Sequence, residues 1–157
     1  MNSDDQKVYV TAEGLQKLKI EYTELTTVKR KEVAEKLARA RELGDLSENA
    51  AWDQARADQS FIEGRIQELE DIIKNAAIVA IDGKGGSEVK IGSKVRVHID
   101  GDEEEFTIVG PPEANPQQRL ISHESPLGQA LLGKKVGEKV EVEAPVGTIS
   151  YKIMDIA

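Results

Sequence analysis

Apolar residues recur at helical spacing through the first half of the chain. Leu15, Leu18, Tyr22, Leu25 and Val28 are followed, after one longer step, by Val33, Leu37 and Ala40. This rhythm predicts a long amphipathic helix over 12–43 whose stripe slips in phase between Val28 and Val33. Thr11 stands where a hydroxyl can cap the helix start, and Gly44 where a left-handed residue can end it. A second stripe runs through Trp52, Ala55, Gln59, Ile62, Ile66, Leu69 and Ile73. Its steps alternate between three and four, which predicts a helix over 48–75 with one polar seam position. Two long helices joined by a short turn must run antiparallel. Their stripes then zip into a coiled-coil hairpin roughly 48 Å long, at ~1.5 Å rise per residue.

Beyond residue 80 the apolar period changes to two. Val95, Val97 and Ile99 alternate with polar residues, as do Val140 and Val142, and Ile149, Tyr151 and Ile153. Strands are expected at 94–99, 104–109, 119–122, 139–143 and 148–154, with a short helix over 126–132 and an extended piece at 8–10. All five prolines lie in this second half. Asp82-Gly83-Lys84-Gly85-Gly86-Ser87 reads as a flexible linker. The expected class is α+β: an antiparallel two-helix coiled-coil hairpin (1–80), then a small antiparallel β-sheet domain with one helix (81–157).

Composition narrows the functional classes. The 157 residues carry 21 basic and 29 acidic side chains, a formal net charge of −8. The acid excess divides evenly between the halves. Proteins that grip nucleic acid by themselves present basic surfaces, so autonomous nucleic-acid binding is not expected. Cysteine is absent, which excludes disulfides, thiol nucleophiles and Cys-ligated zinc. Neither a leader-like segment nor a long apolar run is found, so a cytoplasmic protein without membrane contact is expected.

The chemistry concentrates between the helices, in Gly44-Asp45-Leu46-Ser47-Glu48-Asn49-Ala50. Asp45 and Glu48 place two carboxylates on one tight turn. Oxygen donors so arranged suit Mg²⁺, which keeps waters and takes one or two carboxylates. Two carboxylates make no closed site, so further ligands would come from a partner. The competing reading is capping: Asp45, Ser47 and Asn49 can all cap a helix, and Glu48 suits a helix N-terminus. Spacing alone favours capping. Leu46, an apolar residue at the end of a rod with no core to enter, favours insertion into something else. Arg39, Arg41 and Arg56 flank the turn and could meet phosphates, or could simply be solvated. The same holds for Lys29-Arg30-Lys31 midway along the first helix. Trp52 occupies a seam position, where packing is the simpler role.

The 44–50 motif, Ala55-Arg56 and Gln59-Ser60-Phe61-Ile62-Glu63-Gly64-Arg65-Ile66 together resemble the bacterial Gre-type transcript-cleavage factors. Val10-Thr11-Ala12-Glu13-Gly14-Leu15, Ser125-Pro126-Leu127-Gly128-Gln129 and Gly147-Thr148-Ile149-Ser150-Tyr151 extend the resemblance over nearly the whole chain. It implies a C-terminal domain like the FK506-binding-protein fold, docked at the rim of RNA polymerase's secondary channel through a loop that includes Ser125 and Pro126. It implies a coiled coil that enters the channel. Asp45 and Glu48 would then be lent to the polymerase active centre to hold a shared Mg²⁺ and a reactive water, the factor having no cofactor of its own. Arg41, Ser47, Asn49 and Arg56 would contact polymerase or the 3′ end of the nascent RNA. The protein would be no enzyme itself, and would meet DNA only as part of that assembly.

Two positions depart from the family pattern: Trp52 stands where tyrosine is usual, and Asp53 where histidine or glutamate is common. The interleaving of basic with acidic residues fits the branch with the smaller basic patch. The alternative is a Gre-like paralogue that binds the same channel and inhibits polymerase. Such paralogues carry altered tips, whereas Asp45 through Asn49 is intact here. A coiled-coil chaperone would need an apolar outer face, and a free-standing metallohydrolase would need more ligands than this turn supplies.

Overall fold

The computed structural model of this protein describes residues 6–80 and 86–157. Most of the expected linker, residues 82–85, lies outside them. The chain forms two compact units. One is Leu15–Asn75; the other joins the chain's start, up to Gly14, to Ala76–Ala157.

The first unit is the expected helical hairpin. Its outgoing arm contains α1 (Ala12–Glu24), a π turn (Leu25–Lys29) and α2 (Arg30–Glu42); its return arm is α3 (Ala50–Lys74). Leu18, Val33 and Ala40 are buried on one arm, and Ala55, Ile66 and Leu69 on the other. The phase slip in the sequence is the π turn, where Arg30 N–H bonds to Leu25 C=O five residues back. A π turn inserts one residue into the helical ladder. Three threonines help to open it, because their hydroxyls donate to carbonyls of the preceding turn. Thr23 Oγ1 reaches Lys19 O (3.0 Å), Thr26 Oγ1 reaches Tyr22 O (2.9 Å) and Thr27 Oγ1 reaches Thr23 O (2.6 Å). Such bonds compete with the backbone for helix carbonyls. One stripe position is displaced as a result: Val28, expected in the seam, is 47% exposed.

Charged side chains tie the two arms in register. Arg65 grips Glu21 with two hydrogen bonds of 2.7 and 2.9 Å. Arg30 grips Glu63 with two of 2.8 Å. Tyr22 Oη donates to Glu70 (3.0 Å), and Lys36 lies 3.6 Å from Asp58. Exposed pairs contribute little energy each, but paired guanidinium–carboxylate bonds fix geometry.

Among the described residues, the second unit contains seven strands and α4 (Pro126–Leu131). β1 (Val8–Val10) and β2 (Ala76–Ile78) form a parallel pair. β3 (Lys94–Ile99), β4 (Asp102–Val109), β5 (Leu120–Ser122), β6 (Lys139–Ala144) and β7 (Gly147–Ile156) form a sheet in the order β5-β4-β3-β7-β6. The sheet is mixed, which corrects the expectation of a wholly antiparallel one. β5 runs parallel to β4, with Ile108 opposite Ile121. The proline-rich connection of 110–119 carries the chain back to the same end before β5 starts. The core gathers Val89, Val95, Val97, Phe106, Ile108, Leu131, Val140, Ile153 and Ile156. α4 contributes Leu131, which is fully buried.

The expected division at residue 80 differs from the one the contacts draw. The reason lies at the hairpin's two chain exits. β1 and β2 pair with each other, and β1 packs on the 110–113 turn. Gly110 lies so close to β1 that a Cβ there would fall on the Tyr9 carbonyl. Thr11 caps α1, its Oγ1 accepting from Gly14 N at 3.0 Å. The Glu113 carboxylate receives both Thr11 N–H (2.7 Å) and the Thr11 hydroxyl. Gly14 makes room for it, since a Cβ would collide with the Glu113 side chain.

Two substitutions should separate rigid from adjustable parts of this clasp. Gly110→Ala meets backbone that cannot swing aside and should cost about 3 kcal/mol. Glu113→Ala leaves Thr11 without its partners and should cost about 1–2 kcal/mol. Chemical denaturation of the full chain, followed by circular dichroism, gives both values.

A candidate functional site at the hairpin turn

α2 ends where Leu43 N–H turns back to Ala40 O (3.2 Å) and Gly44 N–H to Arg41 O (3.3 Å). Gly44 has φ +107°, a conformation that strains any side chain. Asp45 then caps a single 3-10 turn, Leu46–Glu48. Its Oδ1 accepts from Ser47 N–H (2.9 Å) and from Ser47 Oγ (2.7 Å). Of Leu46 the structure describes the backbone.

Asn49 closes the turn. It is 9% exposed. Its Oδ1 accepts from Trp52 N–H (3.1 Å), which caps α3, and its Nδ2 donates to Ala40 O (2.6 Å) on the other arm. One side chain therefore satisfies the open start of α3 and the open end of α2. The roles left open by the sequence are divided among the residues. Asn49 caps the long helix, Asp45 caps the short turn through one oxygen, and Glu48 caps nothing. Asn49, expected as a contact to RNA or polymerase, has both polar groups committed inside the fold.

The two carboxylates are exposed. No cationic side chain among the described residues lies within ion-pair distance of either. Asp45 is held below the usual carboxylate range, first by the Ser47 backbone N–H and then by the Ser47 hydroxyl. Both donors favour the ionised form. A lowered folded-state pKa means that this contribution to stability is present at neutral pH. It is lost as pH falls through that lowered value.

The basic residues sort by position. Midway along the hairpin they are largely neutralised: Arg30 by Glu63, Arg65 by Glu21 and Glu68, Lys29 by Glu32 and Lys36 by Asp58. Near the turn Arg41 and Arg56 have no carboxylate partner among the described residues. Arg41 lies over Trp52, its guanidinium carbon 5.5 Å from the ring centroid. Arg56 donates to the neutral Gln59 Oε1 (3.2 Å). The turn thus brings together Asp45, Ser47 and Glu48, with Arg41 beside them and Arg56 about two turns into α3.

Ser125 and Pro126 belong to the other unit. Ser125 Oγ accepts from Gly128 N–H (3.0 Å) and donates to Ser122 O (2.7 Å), so it caps α4. Pro126 is exposed at the first position of that helix. Among the described residues, no group of three or more His, Asp or Glu gathers to hold a metal ion. No helix among them is long and apolar enough to cross a membrane. The sequence reading missed two features, the stacking of Arg41 on Trp52 and the bond from Asn49 to Ala40. The only hint of either was the closeness of these residues to a turn between antiparallel helices.

A two-helix hairpin closed by an acidic, cation-flanked turn, carried with a small mixed-sheet unit, defines a class of hairpin-and-sheet proteins. Comparison with known proteins makes the class specific. Residues 8–78 match the family described as transcription elongation factor, N-terminal, and residues 84–157 match transcription elongation factor, GreA/GreB, C-term. The chain therefore belongs to the GreA/GreB family of transcription elongation factors.

It is 52% identical over 151 residues to transcription elongation factor GreA of Caldanaerobacter subterraneus subsp. tengcongensis, covering 95% of this chain and 96% of that one. It is 46% identical over 154 residues to the GreA of Bacillus cereus, covering 96% and 98%. Among solved structures, GreA factor homolog 1 of Thermus thermophilus is 28% identical over 96% of this chain and 99% of its own, with a TM-score of 0.45. These descriptions name transcription elongation, and none supports DNA binding by the chain itself.

Asn49→Ala should destabilise the hairpin by about 1–2 kcal/mol, because it removes a cap and an inter-arm bond together. Thermal melting checks this. Ser47→Ala should raise the Asp45 titration midpoint toward the ordinary range while leaving it lowered by the backbone donor. Carbon-detected NMR titration of Asp45 reads that shift.

Proposed function

We propose that the protein binds RNA polymerase, reaches the active centre through the secondary channel with its 44–49 turn, and stimulates the polymerase's own cleavage of backtracked transcripts. It would thereby rescue arrested elongation complexes. The observation that carries this reading is the pair of unneutralised carboxylates on a turn fixed by Asn49. Asp45 keeps one oxygen open beside the one held by Ser47. Glu48 has no hydrogen-bond or ion-pair partner among the described residues.

Open carboxylate oxygens are the donor chemistry that Mg²⁺ takes, and a pair of them fits as a partial ligand set. The remaining ligands would be the polymerase's, so the ion is shared and the factor needs no cofactor of its own. Mg²⁺ at such a site stabilises attacking and leaving oxygens of a phosphodiester. The chain's residues have distinct tasks in this reading. Asp45, kept ionised by Ser47, supplies a fixed negative oxygen. Glu48 supplies a second carboxylate that can also accept a proton from, and so orient, a water. Arg41 and Arg56 offer guanidinium groups to the phosphates near the RNA 3′ end. The acid excess suits delivery by a protein channel, since a net-negative chain is repelled by the RNA backbone as a whole. Ser125 and Pro126 dock the second domain on polymerase. The partner places this work in the cytoplasm.

The test uses stalled, backtracked polymerase complexes with end-labelled RNA and Mg²⁺. The wild-type chain should accelerate cleavage. Asp45→Ala and Glu48→Ala should each lower that acceleration roughly 10–100-fold, while still competing with wild type for polymerase. Undiminished cleavage by both variants would sink the tip mechanism. Cleavage of RNA without polymerase would sink the accessory role, and a slowing of elongation without cleavage would favour an inhibitor.

A further inference from the structure

Arg41 is close enough in sequence to the turn for its long side chain to fold onto Asp45 or Glu48. It does neither. Its guanidinium lies over the ring of Trp52, 5.5 Å from the centroid, within the range of a cation–π contact. Trp52 is half-buried and is the only tryptophan of the chain. Its backbone N–H is held by Asn49, which fixes the backbone from which the ring projects, in the first turn of α3. An exposed ion pair and an exposed cation–π contact are similar in strength, and tryptophan is the best ring for the latter. Which partner Arg41 takes is therefore decided by whether that ring is present. Elsewhere on the hairpin two arginines that face a carboxylate across the seam pair with it, Arg30 with Glu63 and Arg65 with Glu21. For Arg41 it is the Trp52 ring that takes the place of such a carboxylate.

We infer that Trp52 is a positioning residue: its ring holds the Arg41 guanidinium off the two turn carboxylates, which leaves both free for a divalent cation and keeps Arg41 available to a phosphate. The second half rests on the function proposed above. Without the ring, Arg41 turns to the acids, the turn loses negative charge and the cation is held less well. An aromatic ring of another kind keeps the contact; an aliphatic side chain of similar bulk does not.

Two measurements on the full-length chain test this. The first is the NMR signal of the Arg41 Nε–H in the free protein. In wild type it should be shifted upfield by the indole ring current. Trp52→Leu should abolish that shift and create a new, salt-sensitive one. The new shift should vanish when Asp45→Asn and Glu48→Gln are added to Trp52→Leu. Trp52→Phe should restore the upfield shift, which separates loss of the ring from damage to the seam. The second measurement is the Mg²⁺ concentration for half-maximal cleavage in backtracked polymerase complexes. It should rise several-fold in Trp52→Leu and return toward wild type in Trp52→Phe.

An Arg41 signal indifferent to Trp52→Leu overturns the inference. So does a lost ring-current shift with an unchanged Mg²⁺ requirement. If the wild-type chain stimulates no cleavage at all, the functional reading fails, and the NMR signals still decide whether Trp52 holds Arg41 away from the acids.

Discussion

A hairpin of two helices has a single seam and no interior behind it. Burial along that seam cannot hold the last turns at the closed end, where the backbone groups of both helices run out of partners. Asn49 meets this constraint with one amide, accepting from Trp52 N–H and donating to Ala40 O. Everything at the turn follows from it. With the long helix capped by Asn49, Asp45 has only a short turn to cap and keeps an oxygen open. Glu48 has no structural task. A turn that relied on its acids for capping would have had none to offer.

Charge is arranged to the same end. Along the arms Lys29, Arg30, Lys36 and Arg65 are matched with acids across the seam or one turn away. At the turn the matching stops: the acids stand alone, and the guanidinium groups rest on an indole and an amide oxygen. A net-negative chain can thus present both signs of charge, unspent, within a few residues.

Much of this was legible in the sequence, for identifiable reasons. The seam positions from Trp52 to Ile73 were readable because a strict three-four alternation has one helical meaning. The five-residue step from Val28 to Val33 announced an irregularity, though not that a π turn would absorb it or that Val28 would turn outward. Strands β3, β6 and β7 stood out by alternation. β2 did not, because three residues directly after a helix show no period. The parallel placement of β5 was invisible, since a period of two is the same in either direction. The acidic turn itself was plain, and so was the candidate chemistry of Asp45 and Glu48. The competition between capping and ligation was not decidable, because it turned on where the Asn49 amide points. The bond from Thr11 to Glu113 spans 102 positions, and no local pattern carries such a contact.

The π turn at Leu25–Lys29 governs something far from itself. One residue of a helix corresponds to about 100° of rotation about its axis. By taking in a single extra residue, the π turn sets the rotational phase of all of α2, and with it the direction from which the chain enters Gly44. An arm of the same length wound as an unbroken α ladder would carry that extra residue as about 100° of added rotation and deliver the turn wound the wrong way round. The Ala40 carbonyl would then be turned away from the Asn49 amide that it accepts from. The local defect in the outgoing helix acts as a gear tooth, and it keeps the two arms in step at the closed end of the hairpin.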